Sequence, residues 1–125
     1  MVKDGLYYSE THEWVRIDGE YAYFGISDYA QHELGDIVYV ELPAVGDETQ
    51  QGEPFGSVEA VKSVEDLNAP MSGEVVEVNE YLEANPEFIN KEPYDKGWIV
   101  KIKYFDKNEL DNLLTAEKYK ELIEE

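Results

Sequence analysis

The sequence predicts an all-β sandwich or barrel that ends in a helical tail. Short runs rich in Val, Ile, Tyr and Phe recur between residues 14 and 104, and turn residues separate them at close intervals. From residue 106 the apolar spacing switches to that of helices. At 125 residues the chain is expected to form one domain spanning 1–125, long enough to fold without a staple.

Each element has its own signal. Trp14–Ile17 and Glu20–Gly25 flank Asp18-Gly19, a strong hairpin turn. Ser27-Asp28 supplies an N-cap for a short helix through Leu34, and Gly35 supplies its C′ position. Asp36–Leu42 is β-rich, and Pro43 ends it. Phe55–Val61 and Val64–Ala69 form a second hairpin, about residues 52–70, with Lys62 at its tip. Glu74–Asn79 follows the punctuation of Pro70 and Gly73. Asn85-Pro86 reads as the N-cap and first residue of one helical turn through Ile89.

Trp98, Val100, Ile102 and Tyr104 alternate with Lys101 and Lys103, which makes a strand. Leu110, Leu113 and Leu114 form one tail stripe; Tyr119, Leu122 and Ile123 form another, capped by Thr115, so 106–125 is expected to be a helical appendage. Gly35–Val40 and Gly73–Val78 share a pattern of Gly, acid and β-branched residues, as two half-units of a quasi-symmetric sandwich would.

The formal net charge is −19, spread along the whole chain. Nucleic acid and anionic membranes both need clustered Lys and Arg, so both are excluded as partners. Basic protein surfaces would be steered toward this chain. There is no cysteine, so any thiol chemistry must come from an attached group. No apolar run reaches a membrane span and Met1–Gly5 opens no recognisable targeting peptide, so a soluble cytoplasmic protein is expected.

Lys62 is the most informative residue. Residues 17–90 hold seventeen Asp and Glu and this single lysine. A lone ammonium at a hairpin tip gives a modifying enzyme one site and no other. Val61 alone does not supply the apolar setting of a Schiff-base lysine. Acylation from outside, which removes the charge and adds a tether, is the better chemistry.

Other constellations are weaker. His12 and Glu13 are adjacent, so on a strand they would point to opposite faces, which disfavours a dyad. With two histidines and no cysteine, no transition-metal site is expected. Among 29 acids, a carboxylate pair such as Glu65-Asp66 carries little meaning. No calcium loop, phosphate loop or G-x-S-x-G stretch is present.

Several ordered blocks together resemble the H-protein family of the glycine cleavage system. They include Thr11-His12-Glu13-Trp14-Val15, Gly25–Gln31, Leu34–Pro43, Phe55–Lys62, Asn68–Asn79, Ile89-Asn90, Pro93-Tyr94 and Gly97-Trp98. The resemblance implies a lipoyl/biotinyl-type β-sandwich, a flattened barrel, with short helices and a helical tail. It implies lipoate in amide linkage to Lys62 as the cofactor. Biotin carriers of this architecture flank their lysine with methionines, whereas Val61 and Ser63 stand here.

The resemblance further implies a non-catalytic carrier. It would take an aminomethyl group from glycine decarboxylase (P protein) to aminomethyltransferase (T protein), and electrons to dihydrolipoyl dehydrogenase (L protein). A lipoate-attaching enzyme would be a further partner, and a monomer suits such a shuttle. Thr11, His12, Glu13 and Asp66 are the implied shelter for the loaded arm. Related lipoyl carriers serve sulfur oxidation or lipoyl relay, and an unmodified acidic adaptor is the alternative of a different class.

Overall fold

The computed structural model describes residues 1–125. Its strands are β1 (Tyr7–Tyr8), β2 (Glu13–Asp18), β3 (Tyr21–Ile26), β4 (Ile37–Glu41), β5 (Glu48–Thr49), β6 (Pro54–Ala60), β7 (Val64–Asn68), β8 (Gly73–Val78), β9 (Val100–Tyr104) and β10 (Leu114–Thr115). The α-helices are α1 (Asp28–Leu34), α2 (Tyr81–Ala84), α3 (Phe88–Lys91) and α4 (Ala116–Leu122), and a 3₁₀ helix covers Lys107–Asn112. No helix is long and apolar enough to cross a membrane.

All strand pairs are antiparallel. They form a seven-stranded sheet, ordered β10-β1-β2-β3-β9-β8-β5, and a three-stranded sheet, ordered β4-β6-β7. Alternation drives the sheets together: Val15, Phe24, Val75, Val100 and Ile102 from the large sheet share one core with Val40, Val58 and Leu67 from the small one. Neither sheet closes on itself, so the fold is a two-sheet sandwich, as the sequence predicted. The two echoed segments fall in different sheets, β4 in the small and β8 in the large.

The same alternation sorts charge. Arg16, Tyr23 and Lys101 stand in register across β2, β3 and β9, as do Asp18, Tyr21 and Lys103. The guanidinium of Arg16 lies 4.4 Å from the Tyr23 ring centre, and the Lys101 ammonium 4.6 Å from that of Tyr21. These cations occupy the large sheet, whereas Lys62 follows β6 in the small one.

Several elements depart from expectation. The first hairpin has Asp18 paired with Tyr21, so its two loop residues are Gly19-Glu20, with Gly19 at φ 63°. Asn85 is not an N-cap; it closes the unforeseen α2 as its C-cap, and α3 starts at Phe88 without a side-chain cap. The tail is only partly helical. Leu114-Thr115 pairs with Tyr7-Tyr8, because two exposed edges otherwise lack hydrogen-bond partners. Nor is the tail a mere appendage: Ala116 and Tyr119 pack with Val2, Leu6, Tyr8 and Trp14 in a second core. The caps at Ser27 and Thr115 are as expected.

Gly25 sits directly opposite Trp14 in the β2–β3 register. A Cβ at residue 25 would lie 2.4 Å from the indole, whose N–H donates to the Pro93 carbonyl at 2.9 Å. The indole therefore cannot move without losing a buried hydrogen bond. Gly25→Ala is expected to destabilise the fold by about 2–3 kcal/mol, read as a lower urea midpoint followed by tryptophan fluorescence.

Candidate functional site: a hairpin-tip lysine beside an acidic groove

Strands β6 and β7 pair from Pro54↔Asn68 to Glu59↔Val64, leaving Lys62 in the connection between them. The tip is pinned by backbone bonds: the Ala60 N–H donates to the Ser63 carbonyl at 2.8 Å, and the Val61 N–H to the Asp36 carbonyl at 3.2 Å. Val61 is 74% exposed and Val64 64% exposed, and Lys62 is exposed between them. The ion pairs of the structure involve Met1, Lys103 and Lys120, not Lys62. The ammonium is presented to solvent on a hydrogen-bonded two-stranded support.

A groove of about 550 Å³ opens along the same hairpin. Val58, Glu65, Asp66, Leu67 and Asn68 line it from β6 and β7; Ile26, Tyr29, Ala30, Glu33 and Leu34 line it from the end of β3 and from α1. Glu10, Thr11, His12 and Glu13 complete the wall. All four residues singled out with the lysine — Thr11, His12, Glu13 and Asp66 — therefore face one space.

Glu13 anchors that wall. It is only 2% exposed. One carboxylate oxygen accepts from the Ser9 hydroxyl at 2.7 Å and from the Thr11 hydroxyl; the other accepts from the Asn68 N–H at 3.1 Å. Burial raises the Glu13 carboxyl above the ordinary carboxylate range, and the donors from Thr11, Ser9 and Asn68 oppose that rise. His12 is held below its usual value, mainly by burial, while the charge of Glu33 pulls the other way.

His12 is not on a strand, contrary to the alternation argument. Its φ of 77° places it in the left-handed region, one residue before β2 begins. Backbone alternation does not apply there, so His12 and Glu13 both reach the groove. No three His, Asp or Glu side chains converge as a metal ion would require.

The family model described as "Glycine cleavage H-protein" matches residues 6–125. The chain belongs to this family. A glycine cleavage system H protein from Geobacillus sp. (strain WCH70) is 58% identical over 120 residues, covering 96% of this chain and 94% of the relative. One from Geobacillus kaustophilus (strain HTA426) is 59% identical with the same coverage. The crystal structure of a glycine cleavage system H protein from Mycobacterium marinum shares 35% identity and superposes with a TM-score of 0.89, covering 99% of this chain and all of that one.

Some groove residues of this H-protein family member escaped the sequence reading. Ser9 both donates to the Glu13 carboxylate and accepts its N–H at 3.0 Å, a local Ser–Glu spacing that could have been noticed. Glu33 and Asn68 had no local signal, and Glu65 stood out only as half of a carboxylate pair too common to carry meaning. Their place depends on how α1 and β7 pack.

The raised Glu13 carboxyl has a consequence for stability. The folded state binds this proton more tightly than the unfolded chain, so stability falls as pH rises from the ordinary carboxylate range through the raised value. Replacing Glu13 by the neutral Gln removes that term. Relative to wild type, Glu13→Gln is expected to gain stability as pH rises above the ordinary carboxylate range and to level off once Glu13 is ionised in the folded protein, checked by urea midpoints of both proteins from pH 4 to pH 8.

Proposed function

We propose that this chain is the lipoyl-bearing shuttle of glycine cleavage. Lipoate would be joined as an amide to Lys62. The loaded protein would carry an aminomethyl group from glycine decarboxylase to aminomethyltransferase, and electrons to dihydrolipoyl dehydrogenase, without catalysing a step itself. The observation that carries the reading is one solvent-facing lysine at the tip of the hairpin that also walls the acidic groove, in a chain of the H-protein family.

When bound, lipoate supplies a dithiolane able to accept a one-carbon amine and two electrons. The protein's own residues do the rest. Lys62 offers its nitrogen for acylation on a support fixed by the Ala60–Ser63 bond. Glu13 and Asp66 present carboxylates to the amine-bearing end, Asp66 from β7 and Glu13 from the opposite wall. Thr11 fixes the Glu13 carboxylate. The apolar side chains of Ile26, Leu34, Val58 and Leu67 restrict water. Tethering keeps the cargo at high local concentration for each partner.

Incubation with lipoate, ATP and a lipoate-attaching enzyme is expected to add one lipoyl increment, mapped to the Lys62 peptide and absent in Lys62→Arg. A folded chain that gains no mass would overturn the carrier reading. At equal lipoyl loading, Glu13→Ala is expected to shorten the lifetime of the aminomethyl-loaded arm several-fold; a lifetime equal to wild type would remove Glu13 from the shelter.

A further inference from the structure

His12 is held by more contacts than a groove wall needs. It is one of two non-glycine residues with positive φ, and the other, Glu124, adjoins the chain end. Such a conformation persists only where its surroundings over-determine it. Here they do. The His12 N–H donates to the Ser9 carbonyl at 3.1 Å, and its own carbonyl accepts from the Ser27 N–H at 2.9 Å. Its Nδ1 lies 2.8 Å from the Tyr119 hydroxyl, which is 107 residues away in sequence.

Tyr119 is itself immobilised. It is fully buried and stacks on Tyr8 with ring centres 4.3 Å apart and planes 4° from parallel. Its hydroxyl is 2.7 Å from Ser27 Oγ, which also accepts from the Ala30 N–H at 3.1 Å as the cap of α1. One direction satisfies every group: Ser27 donates to Tyr119, and Tyr119 donates to His12 Nδ1. That direction requires a neutral imidazole with its lone pair on Nδ1. Protonation of the ring would force the whole chain of bonds to reverse.

We propose that Tyr119 is a positioning residue of the groove: its hydroxyl fixes the His12 ring and left-handed turn, and through them the wall that carries Thr11 and Glu13. The inference rests on the arm-sheltering reading above. A neutral His12 leaves carboxylates as the only charges facing a cationic cargo. The charged groups that share the groove with it are the carboxylates of Glu10, Glu13, Glu33, Glu65 and Asp66, and the phenols of Tyr29 and Tyr119 lie against its ring. A freed ring could protonate and take the place of the cargo among these acids. Helix α4 would thus set the retention of a group carried on the other side of His12.

The test removes one oxygen. Tyr119→Phe keeps the stack on Tyr8 and loses the hydroxyl. In NMR titrations of the unloaded protein, the apparent pKa of His12 is expected to rise by roughly half a unit or more, with His32 as the internal reference. In the lipoylated, aminomethyl-loaded protein, at loading matched by intact mass, the arm lifetime is expected to shorten several-fold. On a His12→Asn background, where Asn tolerates the left-handed backbone, Tyr119→Phe is expected to add nothing.

An unchanged His12 titration overturns the proposal, as does an equal shortening with and without His12. A lifetime moved by Glu13→Ala but not by Tyr119→Phe overturns the role of Tyr119 alone. A lifetime moved by neither overturns the sheltering reading itself. Should Tyr119→Phe fail to fold, Ser27→Gly removes the donor to Tyr119 at small cost to the helix cap and is expected to shift His12 in the same direction.

Discussion

A buried carboxylate ties the two sheets together where the site is built. Glu13 begins β2 in the large sheet, and its carboxylate accepts from the backbone of Asn68 at the end of β7 in the small one. An ionised group this deep costs several kcal/mol if left unpaired. Donors from Ser9, Thr11 and Asn68 offset part of that cost, and only when the loop before β2 and the lysine-bearing hairpin are both in place. The arrangement of the groove and the pairing of this carboxylate therefore depend on each other.

The second constraint is the small core under the tail. Trp14 leads directly from Glu13 into β2, and its indole packs with Tyr8, Tyr119 and the N-terminal residues. Gly25 leaves the space that the indole fills. The β1–β10 pairing brings α4 onto this core, so that the Tyr119 hydroxyl reaches His12 and Ser27. The groove is thus braced from behind by residues far along the chain. One face of the His12–Trp14 segment meets the groove, and the other meets the tail.

Charge follows from the same topology. Arg16, Lys101 and Lys103 are placed on the large sheet against aromatic rings or near acids. The small sheet is left with acids and one lysine. That face therefore carries a single ammonium, and the charged side chains lining the groove are carboxylates.

The sequence alone determined the sandwich, the two hairpins, the helix caps at Ser27 and Thr115 and the singular lysine, because these depend on short-range rules: alternation, turn chemistry and capping. Thr11, His12, Glu13 and Asp66 were recognisable by resemblance. Tertiary structure alone decided that these four face one groove, since a left-handed turn at His12 cancels the alternation expected there. It alone decided that Leu114-Thr115 extends as an edge strand rather than continuing a helix, because the open edge at Tyr7-Tyr8 supplies hydrogen bonds that local propensity cannot anticipate. The bond from His12 to Tyr119 belongs to the same class. Contacts across 107 residues are set by how the sheets close, and no local pattern encodes them.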